Sequence, residues 1–194
     1  DALTGIYLKL GTKTLYAGDL TYAYLDELAG LYSDYPGYNT NAVFNQSIVF
    51  DYENMFLSKK NGIYSAMYNV IANINNFLEY VDKDKDVLVT ERYYETMKGE
   101  ALGLRAFLHF DLLRMFGPIY KEHPASKAIP YRTTFDKDAT PVLSANEVVD
   151  AILKDLNAAE KLLKESDPLH FFTDQMGEEL TEINQFLINR EFRI

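Results

Sequence analysis

Apolar residues recur at helical spacing through most of the chain. Ile63, Met67, Val70, Ile71, Ile74, Phe77, Leu78 and Val81 fall on one stripe and predict a helix over 60–81. Residues 91–116 predict a second helix, closed by Gly117 and Pro118 in the order that helix ends favour. The loop DKDKDVLV joins the two, giving a hairpin ~35 Å long at 1.5 Å rise per residue. Ser144 opens a third helix. Ser144 and Glu147 form a capping box in which each side chain satisfies the other's orphan backbone donor. Val148, Ile152, Leu156, Ala159 and Leu163 carry its stripe as far as Asp167-Pro168. Near the start, Leu3, Ile6, Tyr7 and Leu10 predict a short helix that Gly11 ends.

The remaining segments are less regular. Residues 17–58 show no sustained periodicity but many aromatics, so they are either partly helical or a functional loop. Leu25, Leu28 and Leu31 hint at one helical turn. Residues 117–143 hold Pro118, Pro124, Pro130 and Pro141 and predict an extended connection. In 169–194, the residues Leu180, Ile183, Phe186 and Leu187 fit a helix. Strand signals are weak throughout. The expectation is an all-α fold of antiparallel helix pairs with long irregular loops, in a single domain over 1–194.

The second helix, GEALGLRAFLHFDLLRMFGPIY from Gly99 to Tyr120, is apolar on nearly every face yet contains Arg105, His109, Asp111 and Arg114. Four ionisable groups in so short a run are too costly for a membrane span. A central helix packed on two sides needs no wide polar face and fits better. Asp111 and Arg114 are i, i+3 partners expected at a surface-facing edge. Arg105 falls between Ala101, Leu112 and Phe116. It is expected to be buried and to meet a carboxylate or helix-end carbonyls, because an unpaired buried charge is costly. Asn73, beside the stripe of the first long helix, is expected to bond a neighbouring backbone, since Asn is a mediocre helix former.

Composition narrows the function classes. The chain has 194 residues, a net charge of −10 and dispersed Lys and Arg, which disfavours nucleic acid and anionic lipid. The absence of cysteine excludes disulfides, thiolate catalysis and cysteine-ligated metal. No GxSxG, P-loop or GxGxxG motif is present, so no enzyme activity is expected. Asp51 and Glu53 flank Tyr52 and are the pair that a glycosidase reading would use. Asp82-Lys-Asp84-Lys-Asp86 mimics the start of a calcium loop, but Val87 and Tyr93 stand where Gly and Glu belong. His109, His123 and His170 have no metal-ligand spacing. No metal or cofactor is expected.

Fifteen Tyr and twelve Phe against no Trp are the unusual bulk feature. Tyr joins an apolar ring to a polar tip and suits wet binding surfaces. The stretch 32–54, YSDYPGYNTNAVFNQSIVFDYEN, combines rings with Asn and Asp. Tyr35, Tyr38, Asn41, Phe44 and Asn45 are therefore the candidate ligand-binding residues. The alternative is that these rings only cover helix ends.

The helix Gly99–Tyr120 resembles the signature helix of the SusD/RagB family, in its Glu-Ala, Leu-Arg-Ala and Phe-Gly pattern. Leu3-Thr4-Gly5-Ile6-Tyr7, Leu25-Asp26-Glu27-Leu28-Ala29-Gly30, the helix from Tyr68 to Asn75, Ala128-Ile129-Pro130-Tyr131 and Ser144 to Leu163 resemble further family blocks in the right order. The resemblance implies tetratricopeptide-like helix pairs, in the N-terminal part of a longer chain. It also implies a lipoprotein on the cell-surface face of the outer membrane. Such a protein captures oligosaccharides or other nutrients, caps a TonB-dependent, SusC-like transporter and is not an enzyme. It touches the membrane only through a lipid anchor that this chain lacks. The competing expectation is a structural module that docks on the transporter with no ligand site of its own.

Overall fold

The computed structural model describes residues 2–31, 55–88 and 92–167. The chain divides into two compact units, Asp1–Ile71 and Ala72–Ile194. The division falls inside a helix.

In the first unit, α1 (Ala2–Leu10) buries Leu3, Ile6 and Leu10, the positions its spacing predicts. Residues 11–23 then fold into successive tight turns held by backbone hydrogen bonds such as Leu20 N–H to Leu15 O and Asp19 N–H to Lys13 O. Gly18 is required there, because a Cβ would sit 2.6 Å from Lys13 O. The short α2 (Tyr24–Leu28) follows and ends near Gly30, at φ +68°. The next helix, α3 (Met55–Lys83), is longer than its periodic stripe. Its Ile63, Met67, Val70 and Ile71 are buried in this unit, with Leu15 and Tyr24. Lys59 pairs with Asp19 at 2.9 Å, and Lys9 donates to Asn69 at 3.0 Å.

The second unit holds the rest of α3, a 3-10 turn (Lys85–Val87), α4 (Tyr93–Phe116), two short strands and α5 (Ala145–Ser166). The order of contacts shows two antiparallel pairings. Asp82 of α3 meets Tyr94 and Lys98 of α4, while Asn75, two turns back, meets Arg105, further on. Likewise Thr96 of α4 bonds Ser166 O of α5, and Arg105 bonds Asp155. So α4 lies between two neighbours, as its all-round apolar sequence requires. Its buried positions run as Leu104-Arg105-Ala106, Leu108-His109 and Asp111-Leu112-Leu113, which covers every side of the helix.

The approach of α4 to α5 depends on glycine. A Cβ on Gly99 would lie 2.7 Å from Leu163 Cγ, and one on Gly103 would lie 4.0 Å from Ala159 Cβ. Ser144 and Glu147 form the capping box at the start of α5: Glu147 N–H donates to Ser144 Oγ, and Ser144 N–H donates to Glu147 Oε2 at 2.7 Å. The Ser144 hydroxyl, donating to Glu147 Oε2 at 2.7 Å, and then the Ser144 N–H hold the Glu147 carboxyl below its ordinary pKa.

Three details depart from the sequence pattern. The proline-rich connection contains two strands, β1 (Lys127–Pro130) and β2 (Val142–Ser144), paired antiparallel with Lys127 opposite Ser144 and Pro130 opposite Val142. At three and four residues they are too short to carry an alternation signal. The stripe of α5 buries Val148, Ile152, Asp155 and Ala159, while Leu156 is exposed. Asn75, 2% exposed, is the asparagine buried on α3, and it donates to the distant carbonyls of Arg132 and Thr134, while Asn73 is half-buried.

Candidate functional site

Arg105 is buried at the centre of the second unit. Its Nε and Nη2 donate to the two oxygens of Asp155 at 2.7 and 2.8 Å, a bidentate fork. Its Nη1 donates to Asn75 Oδ1 at 2.9 Å. Burial alone lowers the pKa of a guanidinium, but the hydrogen bonds and charge of Asp155 outweigh it and raise that of Arg105. Tyr131 OH donates to Asp155 Oδ2 at 2.6 Å. Burial, then the Asp155 bond, push the Tyr131 phenol far above its ordinary range, so it is a fixed donor.

The same residues stitch down the strap that follows β1. Asn75 Nδ2 donates to the carbonyls of Arg132 and Thr134 at 3.1 and 3.3 Å. His109 is fully buried, with its ring stacked 3.9 Å from that of Tyr131. Arg132 N–H donates to His109 Nε2 at 3.1 Å, so Nδ1 carries the proton and donates to Arg105 O at 2.8 Å. Burial, with the nearby Arg105 charge, lowers the His109 pKa to about 4. Every polar group in this network serves another, and the arrangement presents neither nucleophile nor free base. It is a scaffold.

The strap borders a cleft of about 500 Å³. Asn75 and Arg105 lie at its floor, Glu79 and Asp82 on the α3 wall, and Lys98 and Leu102 on the α4 wall. Thr133, Thr134, Phe135 and Asp136 form the third wall. Lys98 Nζ donates to Asp82 Oδ1 at 2.6 Å and to Tyr94 OH at 3.0 Å. Against a burial effect that raises it, the hydrogen bonds from Lys98 and from Tyr94 OH hold the Asp82 carboxyl below its ordinary pKa. Arg132 Nη2 fixes Asp136 at 3.1 Å. Phe135 stands 55% exposed beside the opening.

Of the residues singled out from sequence, Arg105 is buried on a carboxylate as expected. Arg114 bonds Asp111 at 2.6 Å, but only Arg114 faces outward, since the Asp111 side chain is 9% exposed. Asp111 is drawn inward because α4 is covered on both sides. Asp82, the first residue of the calcium-like run, is committed to Lys98 and Tyr94. Tyr35, Tyr38, Asn41, Phe44 and Asn45 lie outside the described residues, as do Asp51, Glu53, His170 and the C-terminal stretch. The cleft itself was not legible in the sequence, because its walls come from three segments far apart in the chain.

The geometry defines a class: an all-α scaffold of antiparallel helix pairs locked by a buried Arg–Asp fork. A SusD-like family described as "starch-binding associating with outer membrane" matches residues 12–174. The chain belongs to that family. It is similar to SusD-like protein P38 of Formosa agariphila, 44% identical over 75 residues, which is 37% of this chain and 13% of that protein. The fold is that of solved SusD superfamily proteins. One from Bacteroides thetaiotaomicron has TM-score 0.63 and 19% identity, over 83% of this chain and 36% of that one. One from Bacteroides fragilis has TM-score 0.61 and 20% identity, over 80% and 37%. The chain thus spans little more than a third of these structures and about an eighth of the Formosa protein. Among the described residues no helix is long and apolar enough to cross a membrane.

Proposed function

We propose that this chain is the helical N-terminal part of a glycan-binding lipoprotein on the cell-surface face of the outer membrane. It works with a SusC-like, TonB-dependent transporter and hands over oligosaccharide without turning it over. The single observation that carries this reading is the family match over 12–174, with its starch-binding, outer-membrane description. The helical-pair fold supports it. The ligand contacts are assigned to the Tyr- and Asn-rich stretch: Tyr35, Tyr38 and Phe44 as stacking faces, Asn41 and Asn45 as hydrogen-bonding groups.

The experiment is calorimetry of the full-length protein against maltooligosaccharides, together with co-purification of its transporter from outer membranes. Binding of sugar and recovery of a TonB-dependent partner are the expected results. Recovery of the transporter with no affinity for any glycan or other nutrient would replace this reading with that of a docking module.

A further inference from the structure

We infer that the cleft between α3, α4 and the 133–136 strap is a binding site for a neutral polyhydroxyl ligand, separate from the Tyr-rich stretch. The inference rests on the glycan reading above only for the choice of sugar; the chemistry of the cleft stands independently.

Three features carry it. First, the cleft is preformed. Its strap is pinned by Asn75 to two carbonyls, by His109 to Arg132 N–H, and by Arg132 to Asp136. Little ordering is left to be done on binding. Its volume of about 500 Å³ is within the range of small-molecule sites. Second, its accessible polar groups are mixed in sign. Glu79, Asp82 and Asp136 bring carboxylate oxygens to it, while Lys98, which already donates to Asp82 Oδ1 and Tyr94 OH, has a third N–H to offer. An anionic ligand would face three carboxylates, and a simple cation would face Lys98. Vicinal hydroxyls both donate and accept, so they use both kinds of group. Third, Phe135 holds a half-exposed ring at the opening of the cleft, on a strap whose backbone is held by Asn75 at the carbonyls of Arg132 and Thr134. The negative face of an aromatic ring attracts the weakly positive C–H surface of a sugar ring.

The absence of Trp from this chain supplies a clean reporter. In the 194-residue chain, Phe135→Trp places a single indole at the cleft. Its emission is expected to shift and saturate on titration with maltoheptaose. Calorimetry of the full-length protein is expected to show a site weakened tenfold or more by Phe135→Ala, whose exposed position leaves folding intact. Chitosan and polygalacturonate oligomers serve as cationic and anionic controls and are expected to bind at least tenfold more weakly at this site. If the wild type binds maltoheptaose but the Trp emission is unmoved and Phe135→Ala keeps full affinity, the cleft assignment is wrong and the glycan reading stands. Preference for either charged oligomer overturns the neutral class. If the wild type binds no neutral oligosaccharide at all, both readings fall together.

Discussion

His109 is neutral in the fold because its environment leaves no room for a second proton. Nε2 accepts from Arg132 N–H, and protonating it would set two donors against each other. With the pKa lowered from 6.5 to about 4, the sign follows directly. The neutral form is the one the fold favours, so stability is complete above pH 6.5 and falls as pH drops from 6.5 toward 4. The loss is roughly 3 kcal/mol, because each tenfold change in proton affinity is worth about 1.4 kcal/mol. The carboxyls held low, Asp82, Asp136 and Glu147, act only below their ordinary 3.8 to 4.5, so the window from 4.5 to 6.5 reports His109. Urea midpoints across that window should fall with pH, and the imidazole NMR signals should titrate far below 6.5. A His109 ring titrating near 6.5 refutes the assignment. For Arg105 the effect of deletion is larger. Arg105→Leu leaves Asp155 and Asn75 Oδ1 buried without their partner, at a cost of about 3–5 kcal/mol. Adding Asp155→Leu should recover much of that loss, since a buried ion pair exchanged for apolar groups is often near neutral. Chemical denaturation of the two variants decides the matter. A single variant as stable as the wild type shows that the fork does not hold the scaffold.

At the scale of elements, the spacing of α4 against α5 rests on Gly99. Gly99→Ala would force Leu163 and Leu162 to move, with contacts at 2.7 to 3.3 Å. The expected cost is about 1–3 kcal/mol, read as a lower thermal midpoint. An unchanged midpoint would show that Leu163 simply rotates away. The elements themselves were largely legible. Periodicity placed α1, α3, α4 and α5, and the Ser144–Glu147 capping box marked the start of α5 to the residue. What was not legible came from pairing across the chain. Leu156 looked like a core residue because hydrophobicity was the only guide. Its neighbour Asp155 is buried instead because Arg105, fifty residues earlier, needs a counter-ion. That Asn75 pins the strap, 57 residues on, is likewise set by pairing across the chain. The strands β1 and β2 exist because α4 and α5 give a ribbon a surface to lie on, which no local pattern records.

At the scale of the whole molecule, the second unit divides its labour. The ionisable groups inside α4 hold helices and strap together, which accounts for charges in a helix with no polar face. Ligand chemistry is therefore to be sought where rings and polar tips are not consumed by the scaffold. Phe135, exposed at the cleft, is one such ring, and the Tyr-rich stretch is the other place proposed above. In the full-length protein, Tyr38→Ala tests the stacking face proposed for the stretch. It should weaken oligosaccharide binding by roughly five- to tenfold, as loss of a good aromatic contact does at about 1–1.5 kcal/mol. The thermal midpoint should stay where it was. Arg105→Leu should lower the midpoint and, in any sample still folded, keep the affinity assigned to the Tyr-rich stretch, while binding at the cleft whose floor includes Arg105 weakens. Calorimetry and thermal melts on both variants separate the roles. Unchanged affinity in Tyr38→Ala removes the stretch from the site, and lost affinity at the stretch in folded Arg105→Leu shows that scaffold and site are one network.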